Sequence, residues 1–301
     1  MKKLFKTFFK HYIRHPVEAV GTVFILLIGR ILPVEKASNF GGWFSRYARK
    51  LLGANKTGLK NLKMAMPELS EAEIDQIVAN VWDNFARVML EYPSLKDIDI
   101  YNDPRFEIRG VEYVEQLRDD GKPGIIFGAH LASWELAIMC LTQKGVKTTQ
   151  LYRRVNNPMV DRIVRNMQKE VGYQVLNKGS GDGRKLLESI RNGEHLFILL
   201  DQKLREGISV PFFGKPAQTA SAAARLAIKY DCPLVPARVE RLGGFKFRIT
   251  FYPPVEIPKN PDINQSIYDT MVIVNNMLES WIRERPDQWL WIHNRWPKGT
   301  I

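Results

Sequence analysis

After Pro104 the sequence alternates between short runs rich in β-branched and aromatic residues and stretches with helical spacing, and that alternation leaves few folds open. FEIRGV, PGIIFGA (123–129), VKTTQLY (146–152), EHLFILLDQ (194–202), PLVPARVERL (233–242) and FKFRITFYPPVEI (245–257) read as strands. Helical stretches at 112–118, 133–143, 158–171, 184–191 and 220–230 separate several of them. The pattern predicts an α/β fold with a mixed, mostly buried central sheet flanked by helices. From Phe40 to about Tyr92 the chain reads as helices alone. Trp43, Phe44, Tyr47, Ala48, Leu51 and Leu52 recur at helical spacing, and Ser70-Glu71-Ala72-Glu73 is a capping box. It opens a helix with Ile74, Ile77, Val78, Val81, Trp82, Phe85 and Val88 on its apolar face, which Pro93 ends. Three segments follow: 1–35, 36–100 as a helical segment packed on the core, and 101–301 as the α/β core.

The charge is concentrated in the first of these and just beyond. Of a net +12, the segment from Met1 to Lys63 carries +11, with 13 Lys and Arg against only Glu18 and Glu35. These bases flank the most apolar run, AVGTVFILLIG (19–29), and the opening MKKLFKTFFKHYIRHP suits an interfacial amphipathic helix. A nucleic-acid enzyme would spread its basic residues around a cleft. Bases beside an apolar run instead fit an anionic lipid surface, at roughly 1 kcal/mol for each Lys or Arg near it. Eleven helical residues rise about 16 Å against a hydrocarbon core of about 30 Å. No small-x-small cleavage site follows. Residues 1–35 are therefore predicted to be a retained anchor that dips into one leaflet, with a single-pass span as the open alternative, and in either case the basic residues keep the N-terminus cytoplasmic.

Cys140 and Cys232 lie in apolar surroundings without metal-ligand spacing and are expected to be packed thiols in a reducing compartment. Of the five histidines, His11 and His15 are expected at the surface, His195 in a strand and His293 packed among tryptophans. His130 stands apart. It follows the strand-like GIIFGA and precedes the helical LASWELAIMCL, at the strand–turn–helix position where α/β folds place reactive groups. With His130 in the turn and Glu135 in the first turns of the helix, the carboxylate can reach the imidazole, fix its tautomer and stabilise the imidazolium. Neither a G-x-S-x-G elbow nor a zinc motif competes. Gly179 to Lys185 fits no phosphate-binding fingerprint and reads as a loop leading into the next helix.

With His130-x-x-x-x-Glu135 in place, the chain resembles the late-acting lipid A (Kdo-dependent lauroyl/myristoyl) acyltransferases, within the wider glycerolipid acyltransferase group. The resemblance runs almost end to end, through GLKNLKMAMPELSEAE (58–73), GAHLASWELA (128–137), LYRRVNNPMVD (151–161), LLDQ (199–202), SVPFFGKPAQT (209–219) and QWLWIHNRWP (288–297). It implies a glycerolipid-acyltransferase-like fold, a cytoplasm-facing inner-membrane enzyme, and no cofactor, metal or acyl-enzyme. It implies acyl carrier protein as donor and the hydroxyl of a lipid A precursor, or a related glycolipid, as acceptor. His130 is the base this implies, with Glu135 to orient it. Arg153, with Arg154, would bind an acceptor phosphate or the oxyanion. Asp201 and Gln202 would lie at a strand end near the site, and Phe212, Phe213 and Gly214 beside the acyl pocket. A non-catalytic lipid-binding protein, a thioester hydrolase and an acyltransferase for another glycolipid or lysophospholipid remain open alternatives.

Overall fold

A computed structural model describes residues 9–51, 55–177 and 182–296. The amphipathic start at 2–8, Leu52 and the glycines at 179–181 lie outside the described residues. Seven strands form one sheet: β1 (Phe106–Arg109), β2 (Ile125–Gly128), β3 (Thr148–Tyr152), β4 (Gln174–Asn177), β5 (His195–Leu199), β8 (Leu234–Gly243) and β9 (Lys246–Phe251). Their spatial order is β1-β9-β8-β2-β5-β3-β4. The β8–β9 pair is antiparallel and the others are parallel, which makes the sheet mixed. A separate hairpin joins β6 (Ile208–Phe212) and β7 (Lys215–Thr219).

The central strands are apolar on both faces because helices cover both. Ile125, Phe127, Leu196 and Ile198 enter one core, while Ile126 and Phe197, one residue out of step, enter the other. The first core takes α3 (Asn55–Ala65), α4 (Glu71–Glu91), α9 (Ala222–Tyr230) and α10 (Ile263–Glu284); the second takes α5 (Val111–Asp119) and α6 (Glu135–Gln143). Helix α4 starts at the expected capping box, with Ser70 and Glu73 each bonding the other's backbone N–H. Pro93 does not stop the chain's winding, which tightens into a 3-10 turn over Tyr92–Asp97. Helices α7 (Pro158–Val171) and α8 (Gly183–Arg191) flank β4, a strand not read from the sequence.

Two N-terminal helices, α1 (His15–Ile31) and α2 (Val34–Leu51), lie against this body. Helix α2 packs through small residues. Ala37, Ser38, Gly41, Gly42 and Ser45 are buried, and a Cβ on Gly41 would stand 2.7 Å from the Ala86 carbonyl. Trp43, Phe44 and Tyr47 consequently face outward, not into the core. His15, expected at the surface, is buried, because α1 turns that face onto the start of α7.

Candidate active site

His130 stands two residues beyond β2 and Asp201 two residues beyond β5. These strands are parallel neighbours with Gly128 opposite Leu199, so the same step off the sheet brings together side chains 71 positions apart. Asp201 Oδ1 lies 2.8 Å from His130 Nδ1. Its Oδ2 accepts the His130 backbone N–H at 3.1 Å and the Trp289 indole N–H at 2.7 Å. Burial alone would raise the pKa of this carboxyl, which is 2% exposed. The charge and hydrogen bonds of His130, with the Trp289 N–H, outweigh burial and hold it at about 2. An ionised Asp201 places the imidazole proton on Nδ1 and leaves the Nε2 lone pair for a substrate. The Gln202 amide nitrogen lies 3.2 Å from Nε2 and 3.4 Å from Nδ1, so it sits over the ring and does not block the Nε2 lone pair.

The segment after the 3-10 turn Pro286–Gln288 closes over the His130 loop. Ala132 donates its N–H to Gln288 O at 3.0 Å, Leu131 bridges Trp289, and Ala132 adopts φ 48° to make the turn. His293, expected to be packed, instead stands at the mouth of the cleft, its ring 6.3 Å from that of His130. Lost hydration lowers its pKa to about 4, helped by the charges of His130 and Arg153 and opposed by that of Asp201. Trp289→Phe keeps an aromatic ring and removes one hydrogen bond to a charged group, a contribution of about 1.5–3 kcal/mol. Steady-state kinetics should show kcat lowered about tenfold with both KM values unchanged; unchanged kcat would mean that the indole only packs.

Glu135 does not meet His130 as expected. It opens α6, and its buried carboxylate is hydrogen-bonded by the Tyr173 hydroxyl and, at 3.4 Å, by the Gln168 amide. Burial raises its pKa against those two bonds, the nearby Tyr92 hydroxyl and the charge of His130. The position on Nδ1 belongs to Asp201, because strand register delivers it there while the first turn of α6 aims Glu135 toward α7. Tyr173 had no sequence signal beyond being aromatic, and Trp289 lay in the QWLWIHNRWP stretch without being singled out.

Arg153 and Arg154 follow β3, the strand beside β5, and both are exposed. Asp161 orders their loop by accepting from Val155 N at 2.8 Å and Tyr152 Oη at 3.2 Å. The Arg153 charge acts on His293 and the Arg154 charge on Asp182, which places Arg153 on the cleft side and Arg154 toward α8. Phe212 and Phe213 are buried among Trp289, Trp291 and Trp296, so they form core and not a loop beside the cleft. Phe213 and Gly214 make the two-residue turn of the β6–β7 hairpin, at φ 51° and 66°, with Gly214 exposed at its tip. Phe212 reaches the site only through the Trp289 indole, 5.8 Å from its ring.

Burial pushes the Cys140 thiol up, and the Cys232 thiol up to about 11, so neither is an ionised nucleophile. Among the described residues no cluster of three or more His, Cys, Asp or Glu is placed to hold a metal. An imidazole held by a carboxylate at Nδ1 and presenting Nε2 to a cleft is the equipment of an enzyme that activates a hydroxyl by general-base catalysis. The model of the bacterial lipid A biosynthesis acyltransferase family matches residues 6–298, and the chain belongs to that family. It is an acyltransferase. A lipid A biosynthesis acyltransferase of Haemophilus influenzae is 23% identical over 91% of this chain and 85% of its own. The lipid A biosynthesis myristoyltransferase of Escherichia coli is 24% identical over 82% of this chain and 76% of its own. The crystal structure of a 1-acyl-sn-glycerophosphate acyltransferase from Thermotoga maritima superposes with a TM-score of 0.37 at 12% identity, covering 81% of this chain and 99% of that one.

Proposed function

We propose that this chain moves a fatty acyl group from an acyl carrier protein thioester to a hydroxyl of a lipid A precursor, at the cytoplasmic face of the inner membrane. The observation that carries the mechanism is His130 bound through Nδ1 to ionised Asp201, with Nε2 left free of that carboxylate on a partly exposed ring. The acceptor hydroxyl approaches along the Nε2 lone pair and gives its proton to Nε2. Its oxygen attacks the thioester carbonyl, the C–O bond forms, the C–S bond breaks, and the imidazolium returns the proton to the departing thiolate. Asp201 stabilises that imidazolium. The Gln202 amide and Arg153 are the donors available to the oxyanion and to an acceptor phosphate. Glu135 supports the wall of the site through Tyr173 and Gln168 and is not the residue that orients the base. The membrane part of the reading rests on the N-terminal charge surplus and on one helical stretch, Lys10–Ile31, that is by length and composition apolar enough to cross a membrane.

The purified protein, incubated with acyl carrier protein thioester with and without lipid A precursor, tests this reading. Acylated lipid is the expected product, whereas free fatty acid alone would make the chain a hydrolase. Arg153 has its own test. If it binds an acceptor phosphate bidentately, Arg153→Lys raises the KM for the lipid and leaves kcat nearly unchanged. Wild-type kinetics for both Arg153→Lys and Arg153→Ala would remove it from the site.

A further inference from the structure

Helix α1 is clamped to the globular body at both of its ends. At its start, the Asn157 amide donates to the His15 carbonyl at 2.9 Å and to Glu18 Oε2 at 3.0 Å, while Asn157 Oδ1 caps α7. At its end, Gly29 lies so close to the Leu90 carbonyl that a Cβ would collide with it. There Ser94 Oγ donates to Gly29 O at 3.5 Å, and Arg30 bonds Pro93 O at 3.4 Å and Asp97. The two clamps are 14 residues apart, about 21 Å along a helix. His15, Ala19, Thr22, Leu26 and Gly29 form one stripe toward the body, all buried or half-buried. At 100° per residue, Val17, Phe24 and Ile31 point about 180° away from it, and they are 66%, 63% and 78% exposed. On α2, Trp43, Phe44 and Tyr47 are exposed as well.

A helix standing across a bilayer must free one end from the body that stays in water. Here both ends are held, and the apolar face runs the full length of the helix, opposite its docked stripe. We infer that α1 lies parallel to the membrane plane within one leaflet, with the α2 aromatics set at headgroup level beside it; this rests on the membrane reading above. Charge complementarity commits the occupant to an anionic leaflet: exposed Lys10, Arg14, Lys36 and Arg46 border the apolar strip, and Trp and Tyr are the side chains enriched at bilayer interfaces. The arrangement has a use. Asn157 closes the loop that begins at Arg153, so the clamp at the start of α1 sets the mouth of the cleft against the headgroups.

Depth-dependent fluorescence quenching decides it. Val17→Cys, Phe24→Cys and Ile31→Cys are each labelled with an environment-sensitive fluorophore, with the wild type, whose Cys140 and Cys232 are buried, as the labelling blank. Each is bound to vesicles of phosphatidylcholine with phosphatidylglycerol carrying quenchers at graded depth. The expected result is one shallow depth for all three labels, within about a helix radius of one another. Depths that progress from Val17 to Ile31 by about 21 Å, the rise of 14 residues, would overturn the flat pose and leave the membrane reading standing. Failure of the wild-type protein to bind these vesicles would remove both, while the transfer assay on detergent-dispersed acceptor would remain to test the chemistry.

Discussion

His130→Ala is expected to lower kcat by about 10²–10⁴-fold, the usual cost of removing a general base, with circular dichroism unchanged and a lower unfolding midpoint, because buried Asp201 loses the charge that offsets its burial. The ring is 17% exposed at the cleft and fills no core position, so its loss creates no sealed cavity. Asp201→Asn should cost a similar factor. An amide in place of the carboxylate no longer stabilises the imidazolium, and its N–H₂ can turn toward Nδ1 and favour the wrong tautomer. Glu135→Gln should cost much less, since Tyr173 and Gln168, not His130, are its partners. The order of the three separates this arrangement from the alternative in which Glu135 orients the base. Glu135→Gln as damaging as Asp201→Asn, with its fold intact, would restore Glu135 to that role. The pH dependence gives a second check. Asp201 is held at about 2, below the ordinary carboxyl value of 3.8, so it stays ionised as pH falls toward that value. Its contribution to stability is complete above the ordinary carboxyl range and is lost as pH falls through about 2. Glu135→Gln, away from Nδ1, should leave the acid limb of kcat/KM in place.

The largest expected loss of stability lies away from the chemistry, at Glu91. Arg241 on β8 bonds both oxygens of this α4 carboxylate, at 2.6 and 2.9 Å, with both side chains buried. Ser38 Oγ on α2 donates to the same carboxylate at 2.6 Å, and Arg241 Nε donates to Asn84 at 2.9 Å. One ion pair thus ties helices α2 and α4 to the sheet. Glu91→Ala leaves the guanidinium buried without its counter-charge, which costs about 3–5 kcal/mol, a large part of the roughly 5–15 kcal/mol that stabilises a typical protein. Urea unfolding should show the midpoint falling accordingly. The double variant Glu91→Leu with Arg241→Leu should recover most of the loss, because the penalty comes from the stranded charge. A double variant as unstable as Glu91→Ala would mean that the pair itself, and not the stranded charge, holds these elements together.

The elements most legible in the sequence were those whose signals are local. The capping box at Ser70–Glu73, the span of α7 and the strands around GIIFGA and HLFILL follow from patterns within a few residues, and the structure has them there. The hairpin β6–β7 and strand β4 were missed. Strand β4 is only four residues long, and the hairpin turn puts Phe213 at φ 51°, a conformation that tertiary packing of its ring against Trp291 and Trp296 supports and that local preference opposes. The outward aromatics of α2 were misleading for a related reason. Apolar spacing marks a helix face without saying what it faces, and here the glycines and serines made the close contact.

His130 was legible because a lone imidazole after an apolar strand and before a helix is a local arrangement, and the family likeness was written along the whole chain. Its partner was not legible. Glu135, five residues away, was the nearest carboxylate in the sequence, whereas Asp201, 71 residues away, is the one that register brings onto Nδ1. Local propensity decides which segments become strands and helices, since each signal acts over a turn or a pleat. Which side chains share a cleft depends on strand order and register, and those are settled by long-range pairing and burial that no short stretch of the chain contains.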